Sequence, residues 1–227
     1  MAIEAVLFDF SGTLFRLEPD ETWADLVGAD GKPLNRSQQD AILDRMTRPI
    51  GDGAVFDAEG QLAWERRDLD PAMHRTAYRE VLRQAGLPTP ALVERLYDWM
   101  LDPLVWTPYP DTGVVLKTLA AQGIPVAVVS NIAFDIRPAF AANDWDRLVA
   151  ARTLSFEVGA VKPDPRIFLT AVEKLGVRPE SALMVGDSAV ADGGAVAAGC
   201  RFALVDPLPT DERAEGLLEV LRRHELA

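Results

Sequence analysis

Several short, mostly apolar runs in this chain stop at residues that carry charge or hydrogen-bonding groups. That pattern limits the possible fold more than any other feature. Ile3 to Phe8 stops at Asp9, Ile124 to Val129 at Ser130-Asn131, and Ala182 to Val185 at Gly186-Asp187-Ser188. A further run spans Phe202 to Val205. Such runs read as strands buried on both faces, the situation of a parallel sheet. Helical spacing fills the intervals at Val114 to Ala121, Arg166 to Leu175 and Val190 to Ala198, and a last helix is predicted over Arg213 to His224. Strand and helix in alternation predict an α/β fold with a parallel sheet. In open sheets of this kind ligands sit beyond the carboxyl ends of the strands. The polar stops should therefore converge on one site.

Residues 16–104 read differently. Gln38 to Met46, Ala72 to Ala85 and Leu92 to Met100 have helix-like apolar spacing, and buried strands are not apparent. Pro71 suits a first helical turn with Asp70 as its N-cap, and Gly86-Leu87-Pro88 suits a stop. Pro49 to Gly60 reads as a loop. A helical insert thus interrupts the α/β unit after its first strand. This predicts a core of residues 1–15 and 105–227 and an inserted unit of residues 16–104.

Composition narrows the function. The chain has 227 residues, 48% apolar and 26% charged, with a net charge of −12. It is long enough to bury about 70–75% of its extended surface. The negative charge argues against nucleic acid or an anionic membrane as partner, because both would repel it. It leaves room for a small anionic substrate held in a locally positive pocket. Cys200 is the only cysteine, so an intrachain disulfide is impossible, and a reducing cytoplasm is the expected location. The first ten residues lack a basic segment and a long apolar run, and no apolar stretch has the length of a membrane span.

The polar strand ends suggest the chemistry. Asp9, Asp187 and Asp192, brought together, would resist joint ionisation. A hard cation such as Mg²⁺, which favours carboxylate oxygens, resolves that conflict. Lys162, in Val161-Lys162-Pro163-Asp164-Pro165, offers a second positive charge.

Four segments now show a likeness. DFSGTLF at 9–15, VVSN at 128–131, VKPDPRIF at 161–168 and GDSAVAD at 186–192 resemble the four motifs of the haloacid dehalogenase superfamily, in that order. The segment PYPDTGVVLKTLAAQGIPVAVVSN resembles it too. The resemblance implies a Rossmann-like, three-layer α/β core with residues 16–104 as a helical cap. It implies Asp9 as the nucleophile, forming an aspartyl-phosphate, and Ser130 as a hydroxyl that binds the transferring group. Gly12, Thr13 and Asn131 would join Ser130 and Lys162 in binding substrate. Lys162 would offset charge on Asp9 and on the phosphoryl oxygens. Mg²⁺ would be held by Asp9, the Ser11 carbonyl, Asp187 and, directly or through water, Asp192. The expected enzyme is a phosphatase acting on a small phosphorylated metabolite.

One position departs from the family pattern. Most phosphatases of this family carry an acid–base aspartate two residues after the nucleophile, and here that residue is Ser11. A dehalogenase, a phosphonate-cleaving relative using a cap lysine, and a binding protein with little turnover are therefore alternatives. Lys32 is the only lysine between residues 16 and 104. Gly186-Asp187 with Asp192 favours phosphoryl transfer. Arg48, Arg66 and Arg67 are read mainly as helix-surface residues, His74 mainly as a helix-surface residue with a substrate contact as the alternative, His224 as solvated and the tryptophans as packing. Nothing in the sequence sets the oligomeric state.

Overall fold

The computed structural model describes residues 2–28, 30–47 and 54–227. Its strands are β1 (Ala5–Phe8), β2 (Phe15–Leu17), β3 (Trp106–Pro108), β4 (Val126–Ser130), β5 (Ala151–Leu154), β6 (Ala182–Gly186) and β7 (Arg201–Leu204). The helices are α1 (Arg36–Thr47), α2 (Ala58–Arg66), α3 (Pro71–Gln84), α4 (Pro90–Leu101), α5 (Thr112–Ala121), α6 (Arg137–Ala141), α7 (Ser155–Val158), α8 (Pro165–Leu175) and α9 (Gly216–Arg223).

Five strands form a parallel sheet in the order β5-β4-β1-β6-β7. Alternate residues feed opposite faces, as the two-residue period of a strand requires. Val6, Phe8, Val128 and Val185 join a core that extends to α5 and α9, whereas Leu7, Val129 and Met184 join a second core under α8. The fold is the three-layer α/β arrangement expected. The first strand is central, and the order turns back at it. Its carboxyl end thus opens into the crevice where ligands bind in such sheets.

Helices α1 to α4 lie between β2 and β3, a short antiparallel ribbon through which the chain leaves the sheet and returns. Asp70 caps α3 by accepting from Ala72 N (2.8 Å) and Met73 N (3.4 Å), and Gly86 follows the helix at φ +91°. The apolar residues of this insert, Trp23 in a 3-10 turn before α1 and Ile42, Leu82 and Tyr97 in the helices, continue the same core that holds Val6 and Phe8.

Several local expectations change. The helix predicted over Val190 to Ala198 shrinks to a 3-10 turn at Asp192–Val196. Gly193-Gly194 weakens helix there, and Gly194 lies so close to Pro163 that a Cβ would stand 2.4 Å from the proline ring. The C-terminal helix begins at Gly216 rather than Arg213, because the Asp111 carboxylate accepts from Leu217 N (2.7 Å) and Leu218 N (3.0 Å) and Arg213 turns inward. The loop expected through Gly60 ends sooner. Asp57 caps α2 by accepting from Gly60 N (2.8 Å); the part of that loop at 49–53 lies outside the described residues. His224 is half-buried rather than solvated. Strand β5, with Arg152 and Thr153 at a sheet edge, and the three-residue strands β2 and β3 carry no run that periodicity would detect.

Candidate active site

The carboxyl ends of β1, β4 and β6 lie side by side and place Asp9, Ser130 and Asp187 on one edge of the sheet. Asp9 N donates to Val185 O (3.0 Å), which carries the ladder one residue past β1. Phe10 then turns into an aromatic cluster, 4.9 Å from the Phe15 ring and 5.0 Å from Trp106. Aromatic pairs of this kind contribute about 0.5–1.5 kcal/mol each beyond burial. They anchor the backbone that carries Asp9.

Two glycines make room for two carboxylates. A Cβ on Gly12, which sits at φ +76°, would lie 2.5 Å from Asp187 Oδ2, and one on Gly186 would lie 2.2 Å from the Asp192 carboxyl. Asp9, Asp187 and Asp192 each offer an oxygen within 4.8 Å of the others. Lys162 Nζ bridges two of them, donating to Asp9 Oδ1 (2.5 Å) and Asp192 Oδ1 (2.6 Å). Asp192 Oδ2 accepts from Ser188 N (2.9 Å). Both oxygens of this fully buried carboxylate are thus engaged.

The charges are unbalanced in a specific way. Burial pushes Asp9 up to about 7; Lys162 opposes this, while Asp192 and Asp187 add to it. Burial alone would disfavour the Lys162 ammonium, but Asp192 and Asp9 outweigh it and hold the proton more firmly than usual. One ammonium bridges two carboxylates with a third beside them, and this crowding of like charge together with burial disfavours the ionised form of Asp9.

A cavity of about 520 Å³ opens above this floor. Asp9, Ser11, Ser130, Asn131, Lys162, Asp187 and Asp192 all line it. Its roof comes from the insert: Met46 and Thr47 of α1, Arg67 and Asp68 of the turn after α2, His74 and Tyr78 of α3, and Met100 of α4. The His74 ring stacks on Tyr78 at 4.3 Å, and its Nδ1 pairs with the Tyr97 hydroxyl at 3.0 Å. His74 is therefore buried and not on the helix surface as expected, because its ring packs between α3 and α4; this burial, reinforced by Arg67, lowers it to about 3, so its ring is neutral. Arg67 stacks on Trp64 (4.0 Å) and pairs with Asp68 (3.4 Å).

Residues 3–199 match the sequence model described as a haloacid dehalogenase-like hydrolase. The chain belongs to that family. The phosphoserine phosphatase of Thermus thermophilus is 30% identical over 85% of this chain and 71% of its own length. The L-2-haloacid dehalogenase of Xanthobacter autotrophicus, solved with chloropropionic acid covalently bound, is 25% identical, with a TM-score of 0.59 over 96% of this chain and 83% of that one. A dehalogenase solved as an intermediate complex aligns with a TM-score of 0.69, 23% identity, and 98% and 97% coverage.

Within this hydrolase the residues named from sequence divide by position. Gly12 and Thr13 do not line the cavity. They form the loop behind it, and their carbonyls accept from Arg213, from Nη1 at 2.6 Å for Gly12 and from Nη2 for Thr13. Asn131 lines the cavity, but its side chain is committed to the Lys162 backbone: Lys162 N donates to Oδ1 (2.7 Å) and Nδ2 donates to Lys162 O (3.0 Å). Arg66 is exposed, Arg67 lines the cavity and Arg48 lies outside the described residues. Lys32 is 81% exposed at its side chain, pairs with Asp30 and does not line the cavity.

Sequence reasoning missed Arg213, Ser155 and Asp68. Arg213 is 5% exposed, stacks on Tyr109 and holds the Gly12-Thr13 loop that follows Asp9 from the far end of the chain. Ser155 Oγ accepts from Ile132 N (2.9 Å) and donates to the Asp68 carbonyl, joining the insert to the loop after β4. No local pattern marks these residues, because each acts on a partner more than twenty positions away. The cluster of Asp9, Asp187 and Asp192 fits a hard divalent cation: its donors are carboxylate oxygens, and the missing Cβ atoms of Gly12 and Gly186 leave them room.

Proposed function

We propose that this hydrolase is a Mg²⁺-dependent phosphatase that acts on a small phosphorylated metabolite through an aspartyl-phosphate on Asp9. The observation that carries the reading is the floor itself: a buried carboxylate bridged by a buried lysine, beside two further carboxylates, under a cavity of small-molecule size. The similarity to a phosphoserine phosphatase supports it.

In this reading Asp9 attacks phosphorus and Ser130, buried at the end of β4, donates to a phosphoryl oxygen. Lys162 neutralises charge that builds on those oxygens. Asp192 holds Lys162 in place, and Asn131 fixes the backbone from which that lysine projects. Asp9, Asp187 and the Ser11 carbonyl would hold Mg²⁺, with Asp192 behind them. When bound, the cation supplies electrostatic stabilisation of the phosphoryl group. Residues 16–104 act as a cap over a core of residues 1–15 and 105–227, excluding bulk water from the site and selecting the substrate. The net charge of −12 and the lack among the described residues of a helix long and apolar enough to cross a membrane fit a small-molecule enzyme of the cytoplasm.

Turnover of an aryl phosphate with added Mg²⁺ tests the reading. We expect activity that a chelator abolishes and that Asp9→Asn lowers roughly 10⁴-fold or more. Metal-independent turnover, or Asp9→Asn as active as the parent, overturns it. Ser11 and the likeness to an L-2-haloacid dehalogenase favour one second reading, hydrolysis of a carbon–halogen bond. Halide release from 2-chloropropionate in the presence of chelator would establish that alternative.

A further inference from the structure

The phosphatase reading leaves a gap at position 11. A serine hydroxyl is about as weak an acid as the departing alcohol and gives little general-acid help, so in this reading the proton comes from another group in the cavity. The groups that line the cavity can be taken in turn. His74 is a neutral ring held well below its ordinary range. The phenol of Tyr78 is held above its ordinary value, chiefly by burial. Lys162 is pinned between Asp9 and Asp192. Asp9, Asp187 and Asp192 are committed in this reading as the nucleophile and the carboxylates around the cation site. Ser130, Ser188 and Thr47 carry only alcohols. Among the described residues that line the cavity one carboxyl remains, that of Asp68.

Asp68 is well placed. It lies on the turn between α2 and α3 and lines the roof of the cavity, with its side chain only 15% exposed. Its backbone carbonyl accepts from Ser155 Oγ, and Ser155 Oγ accepts from Ile132 N at 2.9 Å. Ile132 is two residues after Ser130. A roof residue is therefore fastened to the loop that binds the phosphoryl group, so Asp68 is held against the floor and not carried by the helices alone. The charged and titratable groups facing its carboxyl are Arg67 from its own turn, Tyr78 from α3 and Lys162 from the loop before α8. Burial raises Asp68 above the usual carboxylate range, against the pull of Arg67 and Lys162, which favours the protonated form.

We propose that Asp68 is the general acid and base of this enzyme, supplied by the cap in place of the residue that Ser11 replaces. As Asp9 forms its bond to phosphorus, the bond from phosphorus to the ester oxygen breaks. The Asp68 carboxyl gives its proton to that oxygen, and the alcohol leaves. A water molecule then attacks phosphorus and passes a proton to the Asp68 carboxylate. The bond from phosphorus to Asp9 breaks, freeing phosphate and restoring both carboxyl groups. It follows that the favoured substrates are alkyl phosphates, whose leaving oxygen needs a proton.

The experiment compares a simple alkyl phosphate with 4-nitrophenyl phosphate, whose phenolate departs unprotonated, using the full chain with Mg²⁺. In Asp68→Asn we expect the alkyl-to-aryl ratio of kcat to fall about 100-fold. Asp68→Glu is expected to recover part of that ratio. An unchanged ratio in Asp68→Asn overturns the proposal, because a merely structural role lowers both rates together. If Asp68→Asn does not fold, Asp68→Ala decides by the same ratio: a fall of about 100-fold supports the proposal and an unchanged ratio overturns it. If the parent protein hydrolyses neither ester, the phosphatase reading itself fails, a result distinct from an active parent whose ratio ignores Asp68.

Discussion

The floor and the roof of the cavity are built on different principles. The floor is made by backbone: Ser130 ends one parallel strand, Asp9 and Asp187 directly follow two others, and ladder hydrogen bonds fix where those strands end. The roof is made by side-chain packing: Arg67 rests on Trp64, His74 on Tyr78, and one hydroxyl, that of Ser155, ties the Asp68 turn to the core. A sheet edge tolerates almost no change in position, whereas a packed helical roof can be redrawn one residue at a time. Chemistry that must hold atoms to a fraction of an ångström belongs on the first, and substrate choice belongs on the second.

The sharpest break of the floor is Lys162→Met. It leaves Asp9 and Asp192 buried without their cation, and removing one partner of a buried pair costs about 3–5 kcal/mol. Turnover should fall by about 10²–10³ on every substrate. Denaturant melts and kcat measure both effects. A variant that kept its stability would show that the floor relaxes more easily than its ladder implies.

Gly186→Ala is next. The new Cβ would meet Asp192 at 2.2 Å, and overpacking of this kind costs about 1–3 kcal/mol. Because Asp192 positions Lys162, kcat should drop with stability. Loss of stability alone would separate the glycine from the chemistry.

The roof is probed by pH. His74 is lowered from 6.5 to about 3, so the unfolded chain takes up a proton that the folded one refuses. Its contribution to stability is therefore complete above about pH 6.5 and is lost progressively as pH falls through 3. His74→Gln should flatten the acid arm of the stability curve within that window. A curve that superimposes on the parent's would show that this ring does not control acid unfolding. The smallest effect is expected far from both regions. Arg222 pairs with Glu215 while 53% and 56% exposed, and Arg222→Ala should change stability by less than about 1 kcal/mol in a thermal melt.

Sequence pattern revealed the floor almost completely. Asp9, Ser130, Lys162, Asp187 and Asp192 were each marked by a local signal, a polar residue at the end of an apolar run or within a recognisable motif, and all five line one cavity. Parallel strands buried on both faces leave a strong apolar trace, and their ends are fixed by it. The supporting contacts left no such trace. Arg213 reaches Gly12 and Thr13 across some two hundred positions, and an arginine on its own reads as surface. The helix expected over Val190 to Ala198 failed for the same kind of reason. Its apolar spacing was genuine, but contact of Gly194 with Pro163 and capture of Asp192 by Lys162 and Ser188 overrode it.

By itself the amino-acid sequence determined the α/β class, the helical insert, the four chemical motifs and the departure at Ser11. These rest on periodicity and on the conformational limits of neighbouring residues, which a chain carries before it folds. Tertiary structure alone decided which residues meet: that Asn131 holds the Lys162 backbone, that Arg213 clamps the loop after Asp9, and that Asp68 joins the cavity of Asp9 through Ser155. Those pairings close long loops, and their partners are chosen by the packing of whole layers. No local sequence signal can encode a contact whose energy depends on where the rest of the chain has gone.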